Sequence, residues 1–306
     1  MAQLRRAAIV SPIRTPVGRF LGTLTPLEAG PLAAHIIKAL IERTGIDPAR
    51  VDDVVFAQGY GSGEAPAIGR WAWLAAGMPI EVPGFQLDRR CGSGLQSVIE
   101  AAMMVQTGAA DCVLAGGVES MSNVEHYTTG ARHGTKMGDV ALWDRLTRGR
   151  LMSQPIERFG VISGMIETAE NLAKDYDVSR EAADEYAVSS HQKAAAAWDA
   201  GKFDAHTVPI DVPQRRKDPI HFARDEGFRP DASMESLGGL RAIEKDGIVT
   251  AGNASQQNDA AAACGVVPLT MRMDPYPAGL AYTAGRRGAA ASTAPGRPGE
   301  IGVHRL

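Results

Sequence analysis

A cysteine held in a glycine-bearing turn, between a short strand and an apolar helix, constrains this 306-residue chain more than any other stretch. The run is Arg89-Arg90-Cys91-Gly92-Ser93-Gly94-Leu95-Gln96-Ser97-Val98. Before it, Phe85-Gln86-Leu87-Asp88 follows Pro83-Gly84 and alternates in polarity, which predicts a strand. After it, Leu95, Val98, Ile99, Ala102 and Met103 recur at helical spacing and Gly108 closes the run, which predicts a buried helix. Cys91 then stands at a helix start, where unpaired backbone N–H groups point outward. That positive end, with Arg89 and Arg90 adjacent, favours thiolate over thiol. Gly92 and Gly94 let the backbone bend sharply and a ligand come close. Such a thiolate suits attack on an activated acyl group. Packing in a core is the other common use of a lone cysteine.

The surrounding pattern places that turn in an α/β fold. Ala7 to Val10 is a short apolar run ended by Ser11-Pro12. A helix is predicted over about 27–44, with Leu32, Ile36, Ile37 and Leu40 on one face and Gly45 as its stop. Val54 to Ala57 and Cys112 to Ala115 predict buried strands, and Ala67 to Ala76 another helix. Strands alternating with helices argue a mainly parallel sheet covered on both faces, with ligands beyond the carboxyl ends of the strands. Gly59, Gly61 and Gly63 have no lysine after them and fit neither common phosphate-binding fingerprint, so they read as a connector. From about residue 121 the texture changes. His126 to Arg150 reads as loop, and Glu167 to Asp175 and Glu181 to Asp199 as helices, the second capped by Ser179. Pro209 to Pro230 is polar, and Arg215-Arg216-Lys217 within it reads as solvated surface. Gly247 to Ala251 predicts a strand. Asp259 to Val267, apolar and built of small residues, fits helix or strand.

Four stretches, in order, resemble the thiolases, the acetyl-CoA acetyltransferase family. Arg89 to Val98 is similar to the acylation site, whose nucleophile sits in a Cys-x-Ser-Gly turn. Arg14-Thr15-Pro16-Val17-Gly18-Arg19-Phe20-Leu21-Gly22 resembles the N-terminal signature. Ala115-Gly116-Gly117-Val118-Glu119-Ser120-Met121-Ser122 resembles the strand and turn after the nucleophile helix. Thr250-Ala251-Gly252-Asn253-Ala254-Ser255-Gln256-Gln257-Asn258-Asp259 resembles the Asn-Ala-Ser-x-x-Asn-Asp loop. The resemblance runs from the start of the chain to about Cys264. It implies a layered αβα nucleophile domain over 1–120 and 248–270, whose last strand is 259–267, and an inserted loop domain over 121–247 that covers the site. It implies Cys91 as the acylated nucleophile. Ser255 would bond the pantetheine arm of coenzyme A, Asn253 would shape that loop, Arg229 would lie against the adenine, and Met165 would line the acyl pocket. Without the resemblance, Ser255 is an ordinary turn residue. Substrates implied are acyl-CoA and coenzyme A, with no metal or other cofactor, and the assembly implied is a homo-oligomer. Ketosynthases and hydroxymethylglutaryl-CoA synthases share a nucleophilic cysteine, but the Arg-Thr-Pro and Asn-Ala-Ser stretches fit the thiolases better.

The family pattern is incomplete. A second, homologous lobe should carry Asn-Glu-Ala-Phe, Gly-His-Pro and a late Cys-x-Gly-Gly-Gly motif, whose histidine activates the nucleophile and whose cysteine moves the α-proton. None occurs here, and Cys264 is followed by Gly265-Val266-Val267. From Asp274 to Leu306, ten of 33 residues are Gly or Pro, a composition that signals disorder and cannot build a lobe. The expectation is therefore a truncated or frame-shifted thiolase with an irregular tail over 271–306, an exposed apolar face where the second lobe belongs, and impaired condensation. The alternative is an inactive remnant that binds coenzyme A or an intact thiolase subunit.

Composition narrows the rest. A net charge of −3 with 22% charged and 44% hydrophobic residues is ordinary for a globular chain and argues against a nucleic-acid or anionic-membrane partner. No apolar run reaches membrane-spanning length. Cys91, Cys112 and Cys264 lack disulfide-framework and zinc-ligand spacing, which points to a reduced, cytoplasmic setting. Cys112, inside an apolar strand, reads as core. Of the seven histidines, none of His35, His126, His133 or His191 has a neighbour that nominates it for chemistry.

Overall fold

Strand segments as short and apolar as Val54 to Ala57 need cover on both faces, and the computed structural model, which describes residues 4–161, 164–271 and 304–305, shows how far they get it. In chain order the first elements are β1 (Ala7–Arg14), β2 (Gly18–Arg19), α1 (Ala29–Thr44), β3 (Asp53–Ala57), α2 (Ile68–Ala75), β4 (Gly84–Leu87), α3 (Ser93–Thr107) and β5 (Val113–Ser120). Next come β6 (His126–Tyr127), β7 (Trp143–Asp144), α4 (Arg145–Leu151), α5 (Ile156–Phe159), α6 (Met165–Asp175) and α7 (Arg180–Asp199). The hairpin β8 (Ile210–Gln214) and β9 (Lys217–Phe222) follows, then α8 (Met234–Gly238), β10 (Asn258–Pro268) and β11 (His304–Arg305).

One seven-stranded sheet organises the first and last of these, in the order β11-β1-β10-β5-β3-β4 with β2 paired to β10. Its strands alternate sides at period two. Val54, Phe56, Cys112 and Leu114 face α1 and α2, with Leu32, Ile36, Ile37, Leu40, Ile68 and Trp73 in one core. Val55, Val113, Ala115, Cys264 and Val266 face the opposite side, against Ala101, Ala102 and Val105 of α3. The result is a three-layer αβα arrangement. α1 ends as its sequence requires, on Gly45 at φ 63.

The sheet is mixed, which corrects the mainly parallel expectation. β3 is parallel to β4 and β5 through helical crossovers, whereas β10 is antiparallel to β5 and β1. The reason lies in the long excursion over 121–257. It leaves at Ser120 and returns at Asp259, directly opposite in the ladder, so β10 must run back down the sheet. Ser11-Pro12 likewise does not end β1. Ser11 takes φ 50 and the register shifts between Val10 and Ile13, so a bulge absorbs the proline and the strand continues.

The excursion is more ordered than its texture predicts. β6 pairs with β7 and α4 follows, where loop was expected. Asp144 caps α4 through Leu146 N–H at 3.0 Å and Thr147 N–H at 3.2 Å. Of the basic run, Arg215 and Arg216 form the turn of the β8–β9 hairpin, with Arg216 at φ 59, and Lys217 opens β9 opposite Gln214. Ser179 caps α7, accepting from Ala182 N–H at 3.1 Å. Gly247 to Ala251 is no strand but a turn, joined by a single bridge from Thr250 to Ala242. Two of its N–H groups go instead to a carboxylate: Glu170 accepts from Ile248 at 3.0 Å and Val249 at 2.8 Å. Arg14 ties the excursion to the sheet by a forked pair with Asp225 at 2.7 and 3.1 Å, and the same carboxylate accepts from Val17 N–H and Trp198 Nε1–H. Among the described residues, no helix is long and apolar enough to cross a membrane. Of the irregular tail over 271–306, residues 272–303 and 306 lie outside the described residues. His304 and Arg305 pair with β1.

Candidate active site

β3, β4 and β5 run parallel, so their carboxyl ends come together, and the turn between β4 and α3 opens there. Asp88 accepts the Arg90 N–H at 2.8 Å. Ser93 Oγ accepts the Arg89 N–H at 2.7 Å and donates to the Arg90 carbonyl at 2.6 Å. These bonds hold Arg90 at φ 50, a left-handed conformation that a side chain makes costly. Cys91 follows and is exposed; Gly92, not Cys91, is the N-cap of α3. Two N–H groups expected to point outward are bonded back into the turn, Gly92 to the Arg89 carbonyl at 3.1 Å and Ser93 to the Arg90 carbonyl at 2.9 Å. The two guanidinium groups are also engaged. Arg89 donates to the Gln96 side chain, and Arg90 donates to the Gly59 carbonyl at 2.7 Å while Asp88, 3.4 Å away, offsets part of its charge.

Cys91 borders a cavity of about 600 Å³. Its floor is β5 from Ala115 to Glu119 and β10 from Ala260 to Cys264, and its rim includes Gln58, Gly59 and Arg90. Small residues make the hollow: Ala115, Gly117, Ala260 and Ala262 leave the sheet surface nearly bare. Gly116, on the far face, has no room for more, since a Cβ there would lie 2.4 Å from the Ala262 carbonyl oxygen. Glu119, the last of the β5 residues lining the cavity, accepts N–H groups from Gly59 at 2.8 Å and Tyr60 at 3.3 Å. Burial raises its pKa, opposed by those two hydrogen bonds. Gln58 is 3% exposed and its Oε1 is buried without a partner.

The three cysteines differ sharply. Burial pushes the Cys112 thiol up to about 11 and the Cys264 thiol up to about 12, so neither supplies thiolate near neutral pH. Cys264 reaches the cavity wall and Cys112 packs in the opposite core. Cys91 is the accessible thiol.

The remaining sequence-predicted residues are not on the cavity walls. Met165 opens α6 and is 70% exposed. Arg229 is exposed, its N–H donating to His191 Nδ1 at 3.1 Å. Ser255 is exposed at the end of the turn before β10. Asn253 is committed to the fold, accepting from Thr250 N–H at 2.7 Å and donating to Asp184 at 2.8 Å and the Ile248 carbonyl at 2.9 Å. It can act on a ligand only through the loop it shapes. Sequence reasoning missed Gln58, Gly59 and Glu119. Glu119 lies within the Ala115 to Ser122 stretch, but its partners are 60 and 59 residues away. Among the described residues, no group of three or more His, Cys, Asp or Glu side chains could hold a metal ion.

The buried face of α3 also departs from expectation. Ser93, Ser97, Ala101, Ala102 and Val105 are buried, while Leu95 (69%), Ile99 (41%) and Met103 (44%) form an exposed stripe beside the cavity. Periodicity places them on one side of a helix, but nothing among the described residues covers that side.

Residues 7–269 match the family model for the thiolase N-terminal domain. The chain is 45% identical over 259 residues to an acetyl-CoA acetyltransferase of Cupriavidus necator, and 45% identical over 260 residues to one of Chromobacterium violaceum. These alignments cover 83% and 84% of this chain but 64% of each relative, so the chain spans less than two thirds of their length. Among solved structures it superposes on the Bacillus anthracis acetyl-CoA acetyltransferase with a TM-score of 0.82 at 36% identity, covering 88% of this chain and 66% of that one. Human mitochondrial 3-ketoacyl-CoA thiolase in complex with CoA gives 0.77 at 36% identity, with the same coverage.

Proposed function

This chain belongs to the thiolase family, and we propose that it performs thiolase-type acyl transfer with Cys91 as the nucleophile. The observation that carries the reading is an exposed thiol on the wall of a roomy cavity, with the other two thiols buried. The Cys91 thiolate adds to the thioester carbonyl of an acyl-CoA. The bond from that carbon to the coenzyme A sulfur then breaks, and coenzyme A leaves as a thiolate that takes up a proton. An acyl-cysteine remains, splitting one difficult transfer into two easier ones. Coenzyme A is thus a substrate. Residues 1–120 and 248–270 supply the nucleophile, and 121–247 covers the site. The thiolase resemblance assigns Met165 to the acyl group, Ser255 to the pantetheine arm and Arg229 to the adenine, although none of the three lines the cavity beside Cys91; Asn253 holds the Ser255 loop in shape. Three free cysteines suit a reducing cytoplasm, and the apolar stripe on α3 suits association with further chains.

A second reading rests on one feature: no histidine stands among the described residues lining the cavity. A chain without a positioned base would bind coenzyme A, or pair with an intact thiolase subunit, without completing condensation. Two measurements separate these readings. The first is mass-spectrometric mapping after incubation with acetyl-CoA, in which an acetyl group on Cys91, absent from Cys91→Ser, supports the nucleophile. The second is thiolysis of acetoacetyl-CoA by the same proteins. Turnover abolished by Cys91→Ser supports the full reaction. Acetylation without turnover supports the second reading, and no acetylation overturns the nucleophile.

A further inference from the structure

The Arg90 conformation is held from outside the turn as well as from within it. Parallel pairing of β3 with β5 sets Ala57 beside Gly117, so two residues further on Gly59 meets Glu119. The Glu119 carboxylate accepts from both Gly59 and Tyr60 N–H groups and fixes that connector. The Gly59 carbonyl, now fixed, accepts from Arg90 Nη1 at 2.7 Å. The Arg90 guanidinium also lies 6.0 Å from the Tyr60 ring centroid. A non-glycine residue at φ 50 persists only where its surroundings over-determine it, and the cysteine beside it inherits the geometry.

We propose that Glu119 is a positioning residue for Cys91: its carboxylate anchors the Gly59–Tyr60 turn, the Gly59 carbonyl anchors the Arg90 side chain, and Arg90 so held aims the Cys91 thiol into the cavity. The inference rests on the reading of Cys91 as nucleophile. It gives the glycine connector and the arginine before the cysteine a joint purpose that neither has alone. Arg90 is not a catalytic residue here, and neither is Glu119; both act through the turn.

The test uses the full chain and four variants, Arg90→Ala, Arg90→Gly, Glu119→Ala and the double variant Arg90→Gly/Glu119→Ala. Alkylation of Cys91 by iodoacetamide at pH 8 is followed by peptide mapping. Arg90→Ala keeps the conformational cost and loses the clamp, so the rate falls at least fivefold, and Glu119→Ala produces a similar fall. Arg90→Gly adopts φ 50 without strain and recovers most of the lost rate. In that background Glu119→Ala has no further effect beyond twofold. A merely structural Glu119 would lower the rate equally in both backgrounds, which overturns the proposal, as does a Glu119→Ala rate within twofold of the native chain. If Glu119→Ala does not fold, the Arg90→Ala and Arg90→Gly pair decides: equal rates overturn the clamp. Acetylation by acetyl-CoA, mapped on the native chain, reports separately on the nucleophile. Its failure beside the expected alkylation pattern would sink the acyl-transfer reading and leave the positioning link standing.

Discussion

The two faces of the central sheet are built from the same strands and end in different states. The face toward α1 and α2 is closed by large side chains: Phe56, Leu114, Ile36, Ile37 and Trp73 are 0% exposed. The face toward α3 is paved with alanine and glycine, covered in part by one helix, and bordered by the exposed stripe Leu95, Ile99 and Met103. Buried apolar area is the main source of stability, so the closed face carries the fold. The open face carries the candidate site, because small residues there leave a cavity beside Cys91. Core packing and cavity lining thus fall to alternate residues of one strand.

The sharpest way to break this comparison is one substitution on each face. Phe56→Ala removes a fully buried ring from the closed face and should cost about 3–5 kcal/mol. Leu95→Ala removes an exposed side chain from the open face and should change stability by less than about 0.5 kcal/mol. Urea unfolding of both variants checks the pair. An equally large loss for Leu95→Ala would mean that the open face is covered in solution, for instance by another chain, and gel filtration of that variant would then show a smaller species.

A finer comparison uses neighbours. Val54 and Val55 are adjacent and both 0% exposed, but Val54 faces the closed core and Val55 faces α3. Each truncation to alanine should cost about 1.5–3 kcal/mol. Val54→Ala should be the costlier, because a cavity hemmed by α1 and α2 relaxes less than one beside an open groove. The reverse order in thermal unfolding would show that α3 is as tightly packed as the opposite layer.

This two-sidedness was only partly legible in the sequence. Local signals were sound where the answer is local. Gly45 and Gly108 stop helices, Ser179 caps one, and the Cys91 turn lies between a strand and a helix as its glycines require. Errors arose where a distant partner decides. Ser11-Pro12 looks like a strand end and is a bulge, because β10 pairs on both sides of it. Gly247 to Ala251 looks like a strand, yet Glu170 takes the N–H groups of Ile248 and Val249. β6 and β7 are two residues each and exist only through each other. The direction of β10 depends on where a long excursion returns, which no periodicity encodes. The stripe on α3 was visible as a stripe, but periodicity does not reveal whether anything covers it. In the site, Cys91 carried its own signal in the turn, whereas the Gly59–Arg90 bond spans 31 residues and the Gly59–Glu119 bond 60.

The smallest expected effect concerns a charge on the closed side of the sheet. Asp259 is 0% exposed at the start of β10 and accepts both the N–H and the hydroxyl of Ser122. Burial raises its pKa, and the Ser122 and Met121 hydrogen bonds oppose the rise. A carboxyl with a raised folded pKa binds its proton more tightly in the folded state. The stability it contributes is therefore complete below the usual aspartate range and is lost as pH climbs through the folded value. Asp259→Asn removes that dependence and keeps most of the geometry. Its oxygen can still accept the Ser122 N–H, and its NH₂ can donate to Ser122 Oγ, which already accepts from Leu21 N–H at 2.8 Å. The native chain should therefore lose stability relative to Asp259→Asn between pH 4 and pH 7, measured as the difference in urea midpoints at the two pH values. A native chain that instead gains on the variant as pH rises would show that the Ser122 bonds outweigh burial, and that the closed face holds this carboxylate as a charged anchor.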